Sequence, residues 1–394
     1  VTDSEADLPI TPIDHPLAEP LWRALGEVND PEIHRSITSL GMVDQVMIAE
    51  DNSVTVRILL TVAGCPMKAT LTEDVTAAAS GVPGVESVQV DLGVMTDEQR
   101  ANLRDHLTGG AVEREVPFAK PSSLTRVLAI ASGKGGVGKS SVTVNLALAL
   151  ANRGLTVGVL DADIYGHSVP PMLGIADARP TVIEDMIMPV PALGLKVMSI
   201  GMLKEERGQV VAWRGPILDR ALRQMLADVY WGDLDVLLLD LPPGTGDVAI
   251  SLGQRLPNAD VVVVTTPQES ATEVAERAGT MAGMMNQRVV GVVENMAWLE
   301  TPCPHCGEPH RVEVFGSGGG ERTAQGLSAT LGYEVPLLAQ IPLELAWREG
   351  SDEGVPVVAT DPERPSARAL TELAASLVGT GRGLLGKRLD LSPN

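Results

Sequence analysis

The sequence predicts an α/β protein: a mostly parallel, doubly wound sheet preceded by a small α+β domain. Three observations carry this. From Leu124 onward, short apolar, β-branched runs ("RVLAIAS", "TVGVLDAD", "LDVLLLDLP", "ADVVVVTTP", "RVVGVVEN") alternate with helical stretches. Continuous apolar strands separated by helices belong to parallel sheets covered on both faces. Residues 14–108 instead mix helix, strand, strand, helix and strand. The length of 394 residues, with 44% hydrophobic content, supplies two cores rather than one.

Taken in order, residues 1–13 are acidic and expected to be a disordered tail. "LAEPLWRALGEV" has helical spacing. "MVDQVMIAEDNSVTVRILLTV" reads as two strands about an Asp51-Asn52 turn. "PMKATLTEDVTAAAS" reads as a helix opened by Pro66, "VESVQVDL" alternates as a strand, and "MTDEQRANLRDHL" is a polar helix. Residues 109–123 mix Gly, Pro and charge without a period and are expected to be a linker. Within residues 124–380, "SSVTVNLALALANRG" reads as a helix closed by Gly154. "MAGMMNQ" has the spacing of a helix face suited to core or a dimer interface. "FGSGGGERTA" is expected to be a flexible loop leading into a helix, and "WREGSDEG" a solvated turn. Residues 381–394 are expected to be a flexible tail. Its Lys387 and Arg388 beside a few leucines are too little for an amphipathic membrane anchor.

Composition narrows the function. A net charge of −21 argues against a general nucleic-acid or anionic-membrane binder, and 3% aromatics weaken any case for base stacking. Three cysteines are no disulfide framework and imply a reducing compartment. The acidic first residues do not resemble a signal peptide. No stretch reaches the roughly 18–20 uncharged apolar residues of a membrane span. The expectation is a cytoplasmic protein with neither nucleic-acid nor membrane partners.

The phosphate chemistry lies in "SGKGGVGKSS". Gly133 to Ser140 fits G-x-x-x-x-G-K-[ST], directly after a strand and opening a helix. Gly133, Lys134, Gly135, Gly136, Val137, Gly138, Lys139, Ser140 and Ser141 are therefore expected to hold a nucleotide. The glycines let backbone N–H groups converge on phosphate oxygens at a helix N-terminus. Lys139 is expected on the β/γ-phosphates and the Ser140 hydroxyl on magnesium. A second lysine, Lys134, is placed to serve a facing subunit. Its bland alternative is a solvated surface lysine. Asp161 and Asp163 end one strand and Asp240 another, where a magnesium shell is completed. Asp240 suits a role through a metal-bound water, and Asp163 the orientation of an attacking water. Gly244 and Gly246 suit a loop, running to Asp247, that responds to the γ-phosphate. Any one of these aspartates alone would more simply cap a turn.

Cys303 and Cys306 in "ETPCPHCGEPH" are half of a tetrahedral thiolate site. On residue chemistry alone zinc and an iron–sulfur cluster fit equally, and His310 or His305 is a candidate third ligand. A redox dithiol is a further reading, although such pairs usually open a helix. Cys65 in "AGCPMK" precedes a helix start, which suits a metal ligand as well as a small buried residue.

In this order "GKGGVGKS", "DADIYG", "DLPPGTGD", "VENM" and "CPHCG" resemble the Mrp/ApbC family of P-loop ATPases, within the MinD/ParA-like deviant Walker A class. "VNDPEI", "SITSLGMV" and "TVAGCP" resemble the small iron–sulfur assembly domain often fused ahead of it. The resemblance implies a P-loop NTPase fold and a homodimeric, ATP-dependent iron–sulfur carrier using ATP and Mg2+. It implies that Lys134 acts across the dimer, that Asn295 lies near the adenine and that Pro342 flanks it. It favours a 4Fe-4S cluster, with zinc as the alternative, at Cys303 and Cys306 of two chains, and a functional Cys65. Cluster donors and apo iron–sulfur proteins are the implied partners. His167, and Ala297-Trp298, depart from the residues common beside those motifs. Two rivals stand beside this reading: a positioning ATPase, which needs a basic face or an amphipathic tail, and a zinc-stabilised nucleotide-binding scaffold.

Overall fold

The computed structural model describes residues 10–378 apart from 13, 32, 34, 62–66, 97, 101, 104–114, 121, 165, 185 and 204–214, and it omits the side chains of 215–219. The chain divides into two compact units. The first takes residues 1–114 together with Thr181–Pro189 and Asp228–Gly232, and the second takes the rest.

The first unit holds β1 (Ile10–Thr11), α1 (Ala18–Gly26), β2 (Val43–Ile48), β3 (Ser53–Leu60), α2 (Lys68–Ser80) and β4 (Ser87–Val94). They form one sheet in the order β1-β2-β3-β4. β2 and β3 are the expected antiparallel hairpin, and Asn52 takes the left-handed φ of 61° that its turn needs. β4 adds parallel to β3. Leu21, Leu25, Leu71 and Val75 recur at helical spacing and bury one stripe of each helix against the sheet. The expected disordered tail is corrected at its end: Ile10 is 1% exposed and β1 pairs with β2, because one apolar residue finds a sheet edge. Two further strands of this unit, β7 (Val182–Ile183) and β8 (Met186–Ile187), form a short hairpin. Ile183 and Met186 join its core.

The second unit is an eight-stranded sheet. Its elements are β5 (Arg126–Ser132), α3 (Lys139–Ala151), β6 (Val157–Asp161), α4 (Val169–Met172), β9 (Val190–Ala192), β10 (Leu195–Ser199), α5 (Gly215–Ala227), β11 (Val236–Asp240), α6 (Asp247–Arg255), β12 (Asp260–Thr265), α7 (Glu269–Met284) and β13 (Arg288–Glu294). There follow a small hairpin of β14 (Leu299–Pro302) and β15 (Pro309–Val312), then α8 (Gly319–Leu331), β16 (Leu337–Gln340), α9 (Leu345–Glu353), α10 (Val357–Thr360) and α11 (Pro365–Val378). The sheet order is β16-β13-β12-β5-β11-β6-β10-β9, parallel except for the edge pair β9–β10. This is the doubly wound α/β architecture expected from the valine-rich runs. In the segment read as a linker, Pro117–Ala119 form one turn of 3-10 helix with Phe118 buried.

α3 is buried on almost every side, from Val142 to Leu150, because it lies between the sheet and the C-terminal helices. Its one amide is satisfied there: Asn145 donates to Ser141 O at 2.9 Å and accepts from Val358 N at 3.1 Å. "WREGSDEG" is not a turn. It belongs to α9, anchored by buried Trp347 and closed by Gly354 in the left-handed conformation. Of the "MAGMMNQ" methionines, Met281 and Met285 are half-buried and Met284 is 71% exposed. The expected C-terminal tail lies outside the described residues. Among the described residues no helix is long and apolar enough to cross a membrane.

Candidate nucleotide and metal-cluster site

β5 delivers the chain to the phosphate loop and α3 carries it away. Gly136 and Gly138 have φ of 81° and 80°, a backbone that a Cβ strains. At Gly138 a Cβ would also collide with the Asn295 amide, and at Gly133 with the α7 backbone at Val274. The amides of residues 134–138 find no hydrogen-bond acceptor among the described residues. They line a cavity of about 230 Å³ together with Ser140, Ser141, Asp163, Ser168 and Pro243. Ser132 Oγ, at the end of β5 on this cavity, is buried and has no hydrogen-bond partner among the described residues. A cradle of amides without acceptors among the described residues, closed to a Cβ at Gly133 and Gly138, fits a phosphate chain.

The loop's lysine is turned inward. Lys139 Nζ donates to Asp240 Oδ1 at 2.7 Å, with the lysine 6% exposed and the aspartate fully buried. The same carboxylate accepts from Ser140 Oγ at 2.6 Å and Thr143 Oγ1 at 2.8 Å. Three donors compensate the burial of this charge. β6 and β11 pair in parallel with Asp161 directly beside Asp240. Asp161 is fully buried, and its carboxyl accepts from Asp163 N, Val169 N and Ser199 Oγ at 3.1, 3.3 and 3.1 Å. Burial, then the neighbouring Asp240 charge, push its pKa up to about 8, against the pull of Lys139. Asp163 lines the cavity and holds Gly166 N at 2.9 Å. Lys134 lies at the cavity rim, exposed, with Nζ 3.5 Å from Ser270 Oγ.

The cysteines occupy the tip of the β14–β15 hairpin. Cys303 N donates to Glu308 O at 2.8 Å and Gly307 N to Cys303 O at 2.9 Å, closing a tight turn with Gly307 at φ 75°. Backbone N–H groups of Cys306 and His305, and then the Cys306 thiol, point at the Cys303 sulfur and lower its pKa. This turn favours a thiolate before any metal arrives. Cys303 is half-buried and Cys306 exposed. No third His, Cys, Asp or Glu gathers with them among the described residues, His305 and His310 included. Arg311 stacks on Trp298 at the hairpin base, 4.1 Å from the ring centroid.

Comparison with known proteins settles the family. Residues 123–378 match the family described as NUBPL iron-transfer P-loop NTPase, and residues 19–92 match the iron-sulfur cluster assembly protein family. The chain belongs to the iron-transfer P-loop NTPases. It is 56% identical over 370 residues to the iron-sulfur cluster carrier protein of Mycobacterium bovis, covering 94% of this chain and 95% of that one. The protein of the same name from Synechocystis is 42% identical over 360 residues, covering 90% and 95%. The nucleotide-binding protein of Archaeoglobus fulgidus, solved with ADP, superposes with a TM-score of 0.51 at 36% identity, over 64% of this chain and 93% of that one.

In this iron-transfer NTPase the structure brings Lys139, Ser140, Asp161 and Asp240 into one buried network, with Asp163 and the loop glycines at the cavity. Asn295 is 4% exposed and donates to Val137 O at 2.9 Å, so it touches the phosphate loop itself. Pro342 is buried beside Ile341, whose N–H and carbonyl pair with Glu294 O and Ala297 N. Cys65 lies outside the described residues. The glycines of "FGSGGGERTA" do more than loosen a loop. Gly319 and Gly320 open α8, and a Cβ on either would meet Pro267 O or Glu294 Cβ at 2.6 Å. Sequence reasoning missed Thr143, Ser199 and Glu294. Buried Glu294 accepts from Gly320 N at 2.5 Å and Gln340 Nε2 at 2.8 Å. A carboxylate ending an apolar strand was the available signal for Glu294, as it was for Asp161 and Asp240.

Proposed function

We propose that this protein binds and hydrolyses ATP with Mg2+ and carries a 4Fe-4S cluster between cluster donors and apo iron–sulfur proteins in the cytoplasm. The cluster is cargo, held by Cys303 and Cys306 of two copies across a two-fold axis. The observation that carries this reading is the hairpin tip: two sulfurs, one predisposed to the thiolate, with no third ligand gathered beside them among the described residues. Two copies supply the four thiolates that a cluster, or alternatively zinc, requires.

Magnesium nucleotide would supply the electrophilic phosphorus and a charge that draws on Asp240. In this reading the amides of Lys134–Gly138 bind phosphate oxygens, Lys139 leaves Asp240 for them, and Ser140 and Asp240 hold the metal shell. Asp161 buttresses Asp240 and Asp163 orients a water. Lys134, exposed at the rim, reaches the partner copy's phosphates. The loop from Asp240 to Asp247, whose Gly244 N is held by Ser132 O at 2.8 Å, reports the phosphate state.

Anaerobic reconstitution with iron and sulfide tests the carrier. Native protein should take up about four irons per dimer with visible absorbance, and Cys303→Ala/Cys306→Ala should take up none there. Equal uptake by the variant rejects the shared site. Lys139→Ala and Lys134→Ala should each lose ATPase activity, and full activity in both removes the enzyme.

A further inference from the structure

Resting on that reading, we propose that Asn295, Met296 and Trp298 are positioning residues that transmit the state of the phosphate loop to the cysteine hairpin. The route is short and continuous. Asn295 Nδ2 donates to Val137 O at 2.9 Å and occupies the space over Gly138. Met296 follows with φ 56°, a left-handed backbone that a side chain disfavours, and its Cε lies 3.6 Å from the Gly138 Cβ position. Ala297 N and Trp298 O then zip to Ile341 O and Leu343 N at 2.9 and 2.7 Å, and Leu299 bridges Leu343. β14 runs directly from there to Cys303.

The far side of the hairpin is tied to the same place. The chain returns through Gly318, in the left-handed conformation, to α8, whose Gly320 N is held by Glu294. The chain entering the hairpin thus starts at Asn295, which touches the phosphate loop, and the chain leaving it is tied back to the preceding residue, Glu294, at Gly320. A loop that shifts when phosphate takes its amides must move the Asn295 side chain or lose its bond. Met296 is where the backbone can rotate, and the Trp298–Arg311 stack carries that rotation into the stem. The strained torsion marks a joint held in place by its surroundings.

The test reads thiol chemistry rather than turnover. Full-length protein is alkylated with iodoacetamide, with and without Mg-ADP or a non-hydrolysable ATP analogue. Cys303 labelling is followed by peptide mass spectrometry in the monomeric fraction, so that burial by a second copy does not contribute. Native protein should show a rate ratio of about fivefold or more between nucleotide-bound and free states, the low end for coupled sites. Met296→Gly relieves the torsion and loosens the joint. Trp298→Ala removes the stack. Both should bind nucleotide as native does, by equilibrium dialysis, while their ratio falls toward one. Trp298→Phe should restore it, which a merely structural role would not predict. A native ratio of one with nucleotide bound, or an unchanged ratio in Met296→Gly and Trp298→Ala, overturns the coupling and leaves the carrier reading intact. Native protein that binds no nucleotide overturns both.

Discussion

Replacing Gly138 by alanine tests whether Asn295 seats the phosphate loop. The native φ of 80° costs an alanine about 1–2 kcal/mol. The new methyl would also collide with Asn295 Nδ2. The amide must swing away, lose its 2.9 Å bond to Val137 O and leave buried polar atoms unpaired, about 1–2 kcal/mol more. Gly138→Ala should therefore destabilise the second unit by about 2–4 kcal/mol. Asn295→Ala alone should cost about 1–2 kcal/mol for the orphaned Val137 carbonyl. The double variant counts the lost amide bond once, so its cost should fall short of the summed singles by about 1–2 kcal/mol. Urea unfolding of all four proteins, compared at equal slope, measures this. Strict additivity, or a Gly138→Ala protein as stable as native, would refute the proposition that Asn295 and the loop compete for one space.

Lys139→Ala leaves the buried Asp240 carboxylate with two hydroxyl donors only. It should lower stability at pH 7 by about 3 kcal/mol; thermal unfolding beside the native protein checks this. Asp161 holds its proton in the folded state to about pH 8, against 3.8 for an ordinary aspartate. The folded state therefore binds more protons than the unfolded chain between those values, and stability falls as pH rises through the window. Relative to Asp161→Asn, which cannot ionise, the native protein should lose up to about 5 kcal/mol between pH 4 and pH 8.5; parallel pH profiles of urea unfolding would show no divergence if Asp161 were ordinary. The Cys303 thiol should alkylate with a midpoint below that of an ordinary cysteine, because backbone N–H groups of Cys306 and His305 favour its thiolate. An unshifted midpoint in the metal-free protein would remove that account.

Much of this was legible in the chain because it is local. A β-branched run ending in Asp, a glycine loop opening a helix, and two cysteines around Pro-His each fix their own geometry within a few residues. What escaped depends on partners distant in sequence. Thr143 looks like an ordinary helix residue until β11 places Asp240 2.8 Å away, and Ser199 until β10 lies beside β6. Glycine runs are ambiguous by nature. "GSGGG" reads as mobility, yet Gly319 and Gly320 are small because Pro267 O and Glu294 lie against them. "WREGSDEG" hid a helix because its charge and glycines outweigh one signal, Trp347, whose burial anchors it. Ile10 was submerged in acidic neighbours, although a single apolar side chain sufficed to pair an edge strand.

The end of β13 reaches both the phosphate loop and the helix that follows the cysteine hairpin. Successive side chains of a strand point to opposite faces. Glu294 and Asn295 are successive, and their contacts diverge accordingly, one to the start of α8 and the other to the phosphate loop before α3. A single peptide step thus binds the structure on both sides of the sheet at the point where the cysteine hairpin leaves it. A shift of one residue would exchange the two side chains, setting a carboxylate against a phosphate-binding loop and an amide against a helix N-terminus. The first pairing repels the anion the loop is built to hold, and the second forfeits the favourable carboxylate–helix interaction. The order Glu-Asn in "VENM" is therefore favoured by electrostatics on two faces at once.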